Sequence, residues 1–76
     1  MMREKVFKIL REEFSSYKGE FSESTDFLDD LKADSVDIVG FVMSLEEAFD
    51  MEFTDEDIEG VRTVGDVLNA LSKKLK

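Results

Sequence analysis

The fold of this chain is indicated first by residues 34–50, DSVDIVGFVMSLEEAFD, which predict a helix that begins at Asp34 or Ser35. Its apolar side chains are expected to share one buried face, made of Val36, Val39, Val42, Met43, Leu45 and Phe49. Gly40 is the only helix-breaking residue in the segment. Asp34 is suited to the N-cap, and Asp37 places negative charge in the first turn, where the helix dipole favours it.

The sequence on either side adds two amphipathic helices and a short one. Residues 2–16 carry an apolar stripe of Val6, Ile9, Leu10 and Phe14, and residues 17–34 form a long loop that Phe21, Phe27, Leu28 and Leu31 anchor. A short helix over residues 55–60 presents Ile58. The last helix opens at Thr63 with an apolar stripe of Val64, Val67, Leu68, Leu71 and Leu75, and Lys73, Lys74 and Lys76 close it. We therefore predict an all-α fold, a small four-helix bundle of three main helices plus one short helix, as a single domain over residues 1–76.

The composition excludes most catalytic and metal-binding chemistry. The 76 residues include no Cys and no His, which removes thiol nucleophiles, disulfides, the usual general base and the commonest transition-metal ligands. No spacing proposes a Ser–Lys catalytic pair, and the abundant carboxylates read as a solvated face, so we expect neither enzyme activity nor a metal site.

The charge is strongly uneven along the chain. The formal net charge is −9, but residues 20–59 hold fifteen acidic residues against one basic residue, Lys32, for a charge of −14, and the rest carries +5. Such a segment repels nucleic acid and anionic lipid and favours a basic protein partner. No apolar run approaches a membrane span and the N-terminus lacks a signal peptide, so we expect a cytoplasmic protein with no nucleic-acid or membrane partner.

The tetrapeptide at residues 34–37 has two interpretations. Alone it reads as an ordinary helix start, because short motifs often occur by chance. Its surroundings favour a second interpretation, since DLKADSVDIV at 30–39 and FVMSLEEAFD at 41–50 strongly resemble the acyl carrier protein family, whose signature is Asp-Ser-Leu followed by a helix of the form V-E-L-V-M-x-L-E-E-x-F. MEFTDED at 51–57 and VRTVGDV at 61–67 resemble the family's later loop and fourth helix, so the resemblance spans almost the whole chain.

The resemblance implies that Ser35 bears a 4′-phosphopantetheine arm, on whose terminal thiol acyl groups are held as thioesters. A Ser at a helix start offers an exposed hydroxyl, and the free N–H groups there tolerate the anionic phosphodiester. A separate phosphopantetheinyl transferase would attach the arm from coenzyme A with a magnesium ion. Asp34 would then either help to position that metal or act as a cap only.

The resemblance also implies partners and a pathway. Carriers of this type deliver acyl intermediates to enzymes of type II (dissociated) fatty acid synthesis, and the alternative is a carrier for polyketide, non-ribosomal peptide or D-alanine transfer. The partner enzymes would dock basic patches on an acidic strip, composed of Asp37, Glu46, Glu47, Asp50, Glu52, Asp55, Glu56 and Asp57. For any single one of these acids a solvated surface position is the simpler account, and only their shared face argues for docking. We expect a monomer.

Two departures from the family pattern bear on partner and cargo. Gly40 stands where fatty acid carriers usually place a recognition Glu, and Lys32 stands where a Gly is common. By resemblance the acyl chain would lie among Leu28, Ile38, Val42, Leu45, Phe53, Ile58, Val61 and Val67. Several of these side chains are bulky, which predicts either a tighter cavity than usual, with weak sequestration of long chains, or ordinary core packing with no cavity.

Two further functional classes remain as alternatives. Asp55, Asp57, Glu59, Gly60 and Asp66 fall at positions 1, 3, 5, 6 and 12 of an EF-hand-type calcium loop. Position 12 usually holds a Glu and position 8, here Arg62, an apolar residue, so weak divalent-ion screening is favoured over calcium sensing. The other alternative is an unmodified acidic adaptor, which predicts that Ser35→Ala leaves activity in cells intact.

Overall fold

The computed structural model describes residues 2–75, and the helices within that range occur in the predicted order. They are α1 (Met2–Glu13), α2 (Ser35–Phe49), α3 (Asp55–Ile58) and α4 (Val64–Lys74). Three longer helices and one of four residues confirm the predicted all-α class. The predicted basic residue Lys76 lies outside the described residues.

The first helix ends earlier than residue 16, where the sequence placed its end. The Phe14 N–H still donates to the Leu10 carbonyl at 2.9 Å, but the Tyr17 N–H donates to the Phe14 carbonyl at 3.1 Å, which closes a tighter turn. Ser15 and Ser16 lie in this turn, and serine competes for backbone hydrogen bonds outside helices. The chain therefore leaves the helix axis at Phe14.

Each of the last three helices begins with a capping box. In α2 the Asp37 N–H donates to Asp34 Oδ1 at 3.0 Å, while the Asp34 N–H donates to Asp37 Oδ2 at 3.2 Å. Thr54 with Asp57 and Thr63 with Asp66 form the same reciprocal pairs at α3 and α4. A cap of this kind contributes about 1 kcal/mol and fixes the first residue of the helix.

The long loop between α1 and α2 is tied to the connection between α3 and α4. The Phe27 N–H donates to the Arg62 carbonyl at 2.9 Å, and the Val64 N–H donates to the Thr25 carbonyl at 3.0 Å. The Arg62 guanidinium also binds Asp26 at 2.6 Å. The Asp29 N–H and the Arg62 guanidinium hold the pKa of Asp26 below its usual value. These contacts order a loop that has no helix of its own.

The core is built around three phenyl rings, those of Phe14, Phe27 and Phe41, whose centroids lie 5.6–6.1 Å apart. α1, α2, α4 and the loop all contribute to the buried set, which comprises Val6, Phe7, Leu10, Phe14, Phe27, Ala33, Phe41, Leu45, Val64, Val67, Leu68 and Leu71. Edge-to-face and tilted aromatic pairs of this kind add to the stabilisation that comes from burial alone.

The predicted buried face of α2 is wrong at three positions. Val36, Val39 and Met43 are 76%, 53% and 61% exposed, and the helix instead buries Phe41 and Leu45, with Ile38 and Phe49 partly buried beside them. Apolar residues surround most of this helix, so its sequence offers two apolar stripes. The ring cluster of the core contacts the stripe that contains Phe41, and the other stripe is left in solvent.

Three smaller expectations about burial also need correction. Ile9 is only partly buried and Phe7 is buried in its place, Leu28 is 56% exposed, and Leu75 is 43% exposed at the end of the last apolar stripe. Of the four predicted anchors of the long loop, Phe27 lies inside the core, whereas Phe21 and Leu31 pack against its edge. Within residues 2–75 no helix is long and apolar enough to cross a bilayer.

Candidate functional site

Ser35 is the first residue of α2 and is exposed to solvent. Its hydroxyl makes no hydrogen bond to another residue of the described range 2–75. The first backbone N–H groups of the helix that find acceptors are those of Asp37, which donates to Asp34 Oδ1, and Ile38, which donates to the Asp34 carbonyl. The N–H groups of Ser35 and Val36 make no hydrogen bond within this range. The serine hydroxyl therefore stands at the positive end of a helix with two uncommitted N–H groups beside it.

The residues at this helix start fit a phosphodiester on Ser35. A phosphate oxygen is an anion, and unpaired N–H groups at a helix N-terminus favour anions. Asp34 has the extended backbone that is typical of an N-cap residue, at φ −96° and ψ −178°, and the helix begins at the next residue, Ser35. Asp34 uses Oδ1 for the cap, and its Oδ2 makes no hydrogen bond to any residue that the structure describes. Capping thus leaves one carboxylate oxygen of Asp34 facing no protein partner.

The exposed stripe of α2 leads away from Ser35. Val36, Val39 and Met43 follow at spacings of three and four residues, which places them on one face of the helix. Sequence reasoning missed this surface because it assigned the three side chains to the core. The signal that could have found it is the second stripe, through Ile38, Phe41 and Leu45, since a helix at the surface of a small bundle buries only one of two such faces.

The eight predicted recognition acids do not form one uniform set. Six of the eight are exposed and make no ion pair within residues 2–75, namely Asp37, Glu47, Asp50, Glu52, Asp55 and Glu56. The carboxylate of Asp37 also serves the cap of α2. Glu46 is half-buried, and its Oε2 accepts the Phe53 N–H at 2.8 Å. Glu46 therefore fastens the segment between α2 and α3 as well as carrying charge.

Asp57 is the most engaged of the eight. Its Oδ2 accepts from the Lys74 ammonium at 2.8 Å and from the Thr54 N–H and hydroxyl at 2.8 and 2.9 Å. The Lys74 ammonium and the Thr54 N–H lower the pKa of Asp57 from 3.8 to about 2. The charge of this carboxylate is thus compensated inside the protein, in contrast to that of Asp55 or Glu56.

A small apolar cavity of about 60 Å³ lies between α2, α3 and α4. Seven of the eight residues that the sequence assigned to an acyl interior line it, namely Ile38, Val42, Leu45, Phe53, Ile58, Val61 and Val67, together with Phe27, Phe41 and Ala70. The assignment of Leu28 is wrong, because this side chain is exposed in the loop. An apolar cavity of roughly 150 Å³ holds the six carbons of benzene, so 60 Å³ has room for about two carbons.

Gly40 faces α1 at close range. A Cβ atom at this position would lie 3.6 Å from Glu13 Oε1, which is ordinary van der Waals contact, and Glu13 Oε2 accepts from the Ser44 hydroxyl at 3.4 Å. The glycine therefore lies beneath a carboxylate of α1. A Glu at position 40 would meet a like charge there.

The calcium-loop alternative finds little support in this geometry. Residues 55–58, the first four of the candidate loop, form α3, and Asp57 and Asp66 use their carboxylates in capping boxes. In residues 2–75 no group of three acidic side chains converges on a position that could hold a metal ion. Two of the carboxylates that the calcium loop would use, those of Asp57 and Asp66, are thus engaged in helix caps, and this geometry does not favour the EF-hand interpretation.

Comparisons with known proteins agree with these features. The family model for the phosphopantetheine attachment site matches residues 4–71. The chain is 46% identical over 71 residues to an acyl carrier protein of Prochlorococcus marinus (strain MIT 9515), covering 93% of this chain and 89% of that one. It is 43% identical over 72 residues to an acyl carrier protein of Clostridium perfringens (strain SM101, type A), covering 95% of each.

The fold has a close match among solved structures. A chain from Mycobacterium tuberculosis, provisionally assigned as an acyl carrier protein, superimposes with a TM-score of 0.85 at 24% identity. The match covers 95% of this chain and 96% of the other. At that identity the likeness concerns the fold alone, and it supports the small helical bundle.

Proposed function

This chain belongs to the phosphopantetheine attachment-site family and is an acyl carrier protein, and from that premise we propose that Ser35 is the residue that bears the arm. Proteins of this kind hold acyl groups as thioesters on a covalent 4′-phosphopantetheine, which supplies the thiol that this sequence lacks. The observation that carries the assignment to Ser35 is its exposed hydroxyl at the start of α2, which no neighbour engages within residues 2–75.

The residues around Ser35 have distinct roles in this proposal. The N–H groups of Ser35 and Val36 stabilise the negative charge of the phosphodiester. Asp34 holds the helix start with one carboxylate oxygen, and its other oxygen is available to the magnesium ion of the phosphopantetheinyl transferase. This chain contributes the acceptor and its presentation, and catalysis belongs to the transferase and the partner enzymes.

Partner enzymes dock on α2 next to Ser35. Burial of the exposed apolar stripe of Val36, Val39 and Met43 against the partner stabilises the complex. The exposed acids beside the stripe attract Lys and Arg side chains of the partner. Asp57 contributes little to this surface, because Lys74 already compensates its charge. Such a surface gives fast, salt-sensitive encounter and modest affinity, which suits a carrier that must leave each enzyme after one step.

The cavity gives the acyl chain a place to lie. Ile38 is one helical turn from Ser35 and lines the cavity, so a chain tethered to Ser35 reaches the interior beside it. With room for about two carbons, the unloaded protein admits only short chains without a change of shape. The pathway that we propose is type II fatty acid synthesis, in the cytoplasm, with the whole chain acting as one monomeric carrier domain.

The direct test is modification in vitro. The purified protein is incubated with coenzyme A, magnesium and a broad-specificity phosphopantetheinyl transferase, and its intact mass is measured. We expect the mass gain of one phosphopantetheine group in the wild type and none in Ser35→Ala. Ser44→Ala, on the same helix, is the matched control and should be modified like the wild type. A gain that persists in Ser35→Ala would overturn the assignment.

A further inference from the structure

The shortest wall of the cavity is α3, which has no buried residue. This helix has four residues, and its backbone hydrogen bonds are local, within residues 54–61. Within the described residues, the only ion pair or side-chain hydrogen bond that joins residues 55–58 to another helix is the 2.8 Å contact between Asp57 and Lys74. The core side chains hold α1, α2 and α4 together, but no residue of α3 is fully buried.

The ion pair joins two helices, α3 and α4, that each contribute residues to the lining of the cavity. Lys74 follows Val67 and Ala70 at spacings of seven and four residues, so all three share one face of α4, and the first two line the cavity. Asp57 directly precedes Ile58, which lines the cavity from the opposite side. The contact therefore joins the two walls, and a cavity that widens between α3 and α4 must stretch it.

We propose that the Asp57–Lys74 contact sets the length of acyl chain that the interior accepts, by holding α3 against α4. This inference rests on the proposed function, because it assumes that the tethered acyl chain enters this cavity. Chains of about two carbons are then accommodated with little movement. Longer chains must part the two side chains, so their burial is opposed by the loss of the contact and their outer carbons remain in solvent.

The first arm of the test uses acylated protein. Thermal midpoints are measured for the arm-bearing protein with a free thiol and with acyl groups of two to ten carbons, in the wild type and in Lys74→Met. Lys74→Met keeps the aliphatic stem and removes the charge. We expect the stabilisation by the acyl group to peak at a longer chain in Lys74→Met than in the wild type, by about one carbon, because a partly exposed ion pair contributes about as much as the burial of one methylene group. The basal midpoint should fall by less than about 5 °C, because the pair is partly exposed.

Matched variants separate this contact from general effects of charge. Lys73→Met removes the neighbouring positive charge, which makes no ion pair within residues 2–75, and should keep the wild-type profile. Lys74→Arg preserves the pair and should keep it too. Asp57→Asn breaks the pair from the other side while the side-chain oxygen still accepts from Thr54, and it should repeat the shift of Lys74→Met.

The second arm needs no modification of Ser35. Xenon binding to the unmodified protein is followed through methyl NMR signals of Ile58, Val61 and Ala70, which line the cavity. Lys74→Met should bind xenon more tightly than Lys73→Met. If both variants match the wild type in xenon response and chain-length profile, the inference is overturned. If no arm can be attached to Ser35, the proposed function fails, and the xenon comparison alone still decides whether this contact holds the cavity closed.

Discussion

Replacing Gly40 by alanine should stabilise the protein, although the position lies within the central helix. Gly in a helix interior costs about 1 kcal/mol relative to Ala. The added Cβ would lie 3.6 Å from Glu13 Oε1, at ordinary contact distance, so no steric cost offsets the gain. Gly40→Ala should therefore raise the free energy of unfolding by about 0.5–1 kcal/mol.

This free energy corresponds to a measurable shift in the thermal midpoint. Unfolding entropy of roughly 2.1 cal/mol/K per residue gives about 160 cal/mol/K for 76 residues, so 1 kcal/mol equals about 6 °C. The assay is thermal unfolding followed by far-UV circular dichroism, together with urea titration to check that the slope is unchanged. Modification of Ser35 by the transferase should be unaffected, because the new methyl group faces α1.

Gly65 provides the matched control, because it also lies within a helix but a side chain there would make a tighter contact than at Gly40. A Cβ there would lie 3.1 Å from the Glu23 carbonyl oxygen, a backbone atom that also accepts the Gly65 N–H at 2.8 Å. Gly65→Ala should therefore lower the thermal midpoint, because the loop must shift. A midpoint that falls in Gly40→Ala, or that rises equally in both variants, would refute the reasoning that local space decides the sign.

Three further outcomes follow from the same structure. Because the pKa of Asp57 is lowered on folding, its contribution to stability is present above about pH 4 and is lost as the pH falls toward the folded value of about 2. In thermal unfolding between pH 2 and 6, the midpoint of Asp57→Asn should therefore fall less steeply with decreasing pH than that of the wild type. Lys32 has φ 54°, a left-handed conformation that costs a non-glycine residue about 1 kcal/mol, and Lys32→Gly should raise the urea midpoint or at least leave it unchanged; a clear fall would contradict this. Phe41→Leu should cost about 1–2 kcal/mol in urea unfolding, because the ring contacts Phe14 and Phe27, and a loss below 0.5 kcal/mol, by the same scale, would show that the core repacks.

The sequence by itself determined the helix starts and the position of the candidate attachment residue. Capping is local, because an N-cap side chain and the residue three positions later satisfy each other within one turn. Asp34 with Asp37 therefore predicted the start of α2, and with it the exposure of the Ser35 hydroxyl, from a few consecutive residues. The resemblance to carrier proteins likewise rests on consecutive residues around this start, which the family comparison matches.

Only the tertiary structure decided which face of α2 is buried and which acids remain available. Two apolar stripes on one helix are equivalent until other elements pack on one of them, and Phe14 and Phe27 select the stripe that contains Phe41. The pairing of Asp57 with Lys74 joins residues seventeen positions apart on different helices, and no local pattern encodes it. Packing is a relation between distant segments, so the docking stripe and the closure of the cavity could be identified only when those segments were placed together.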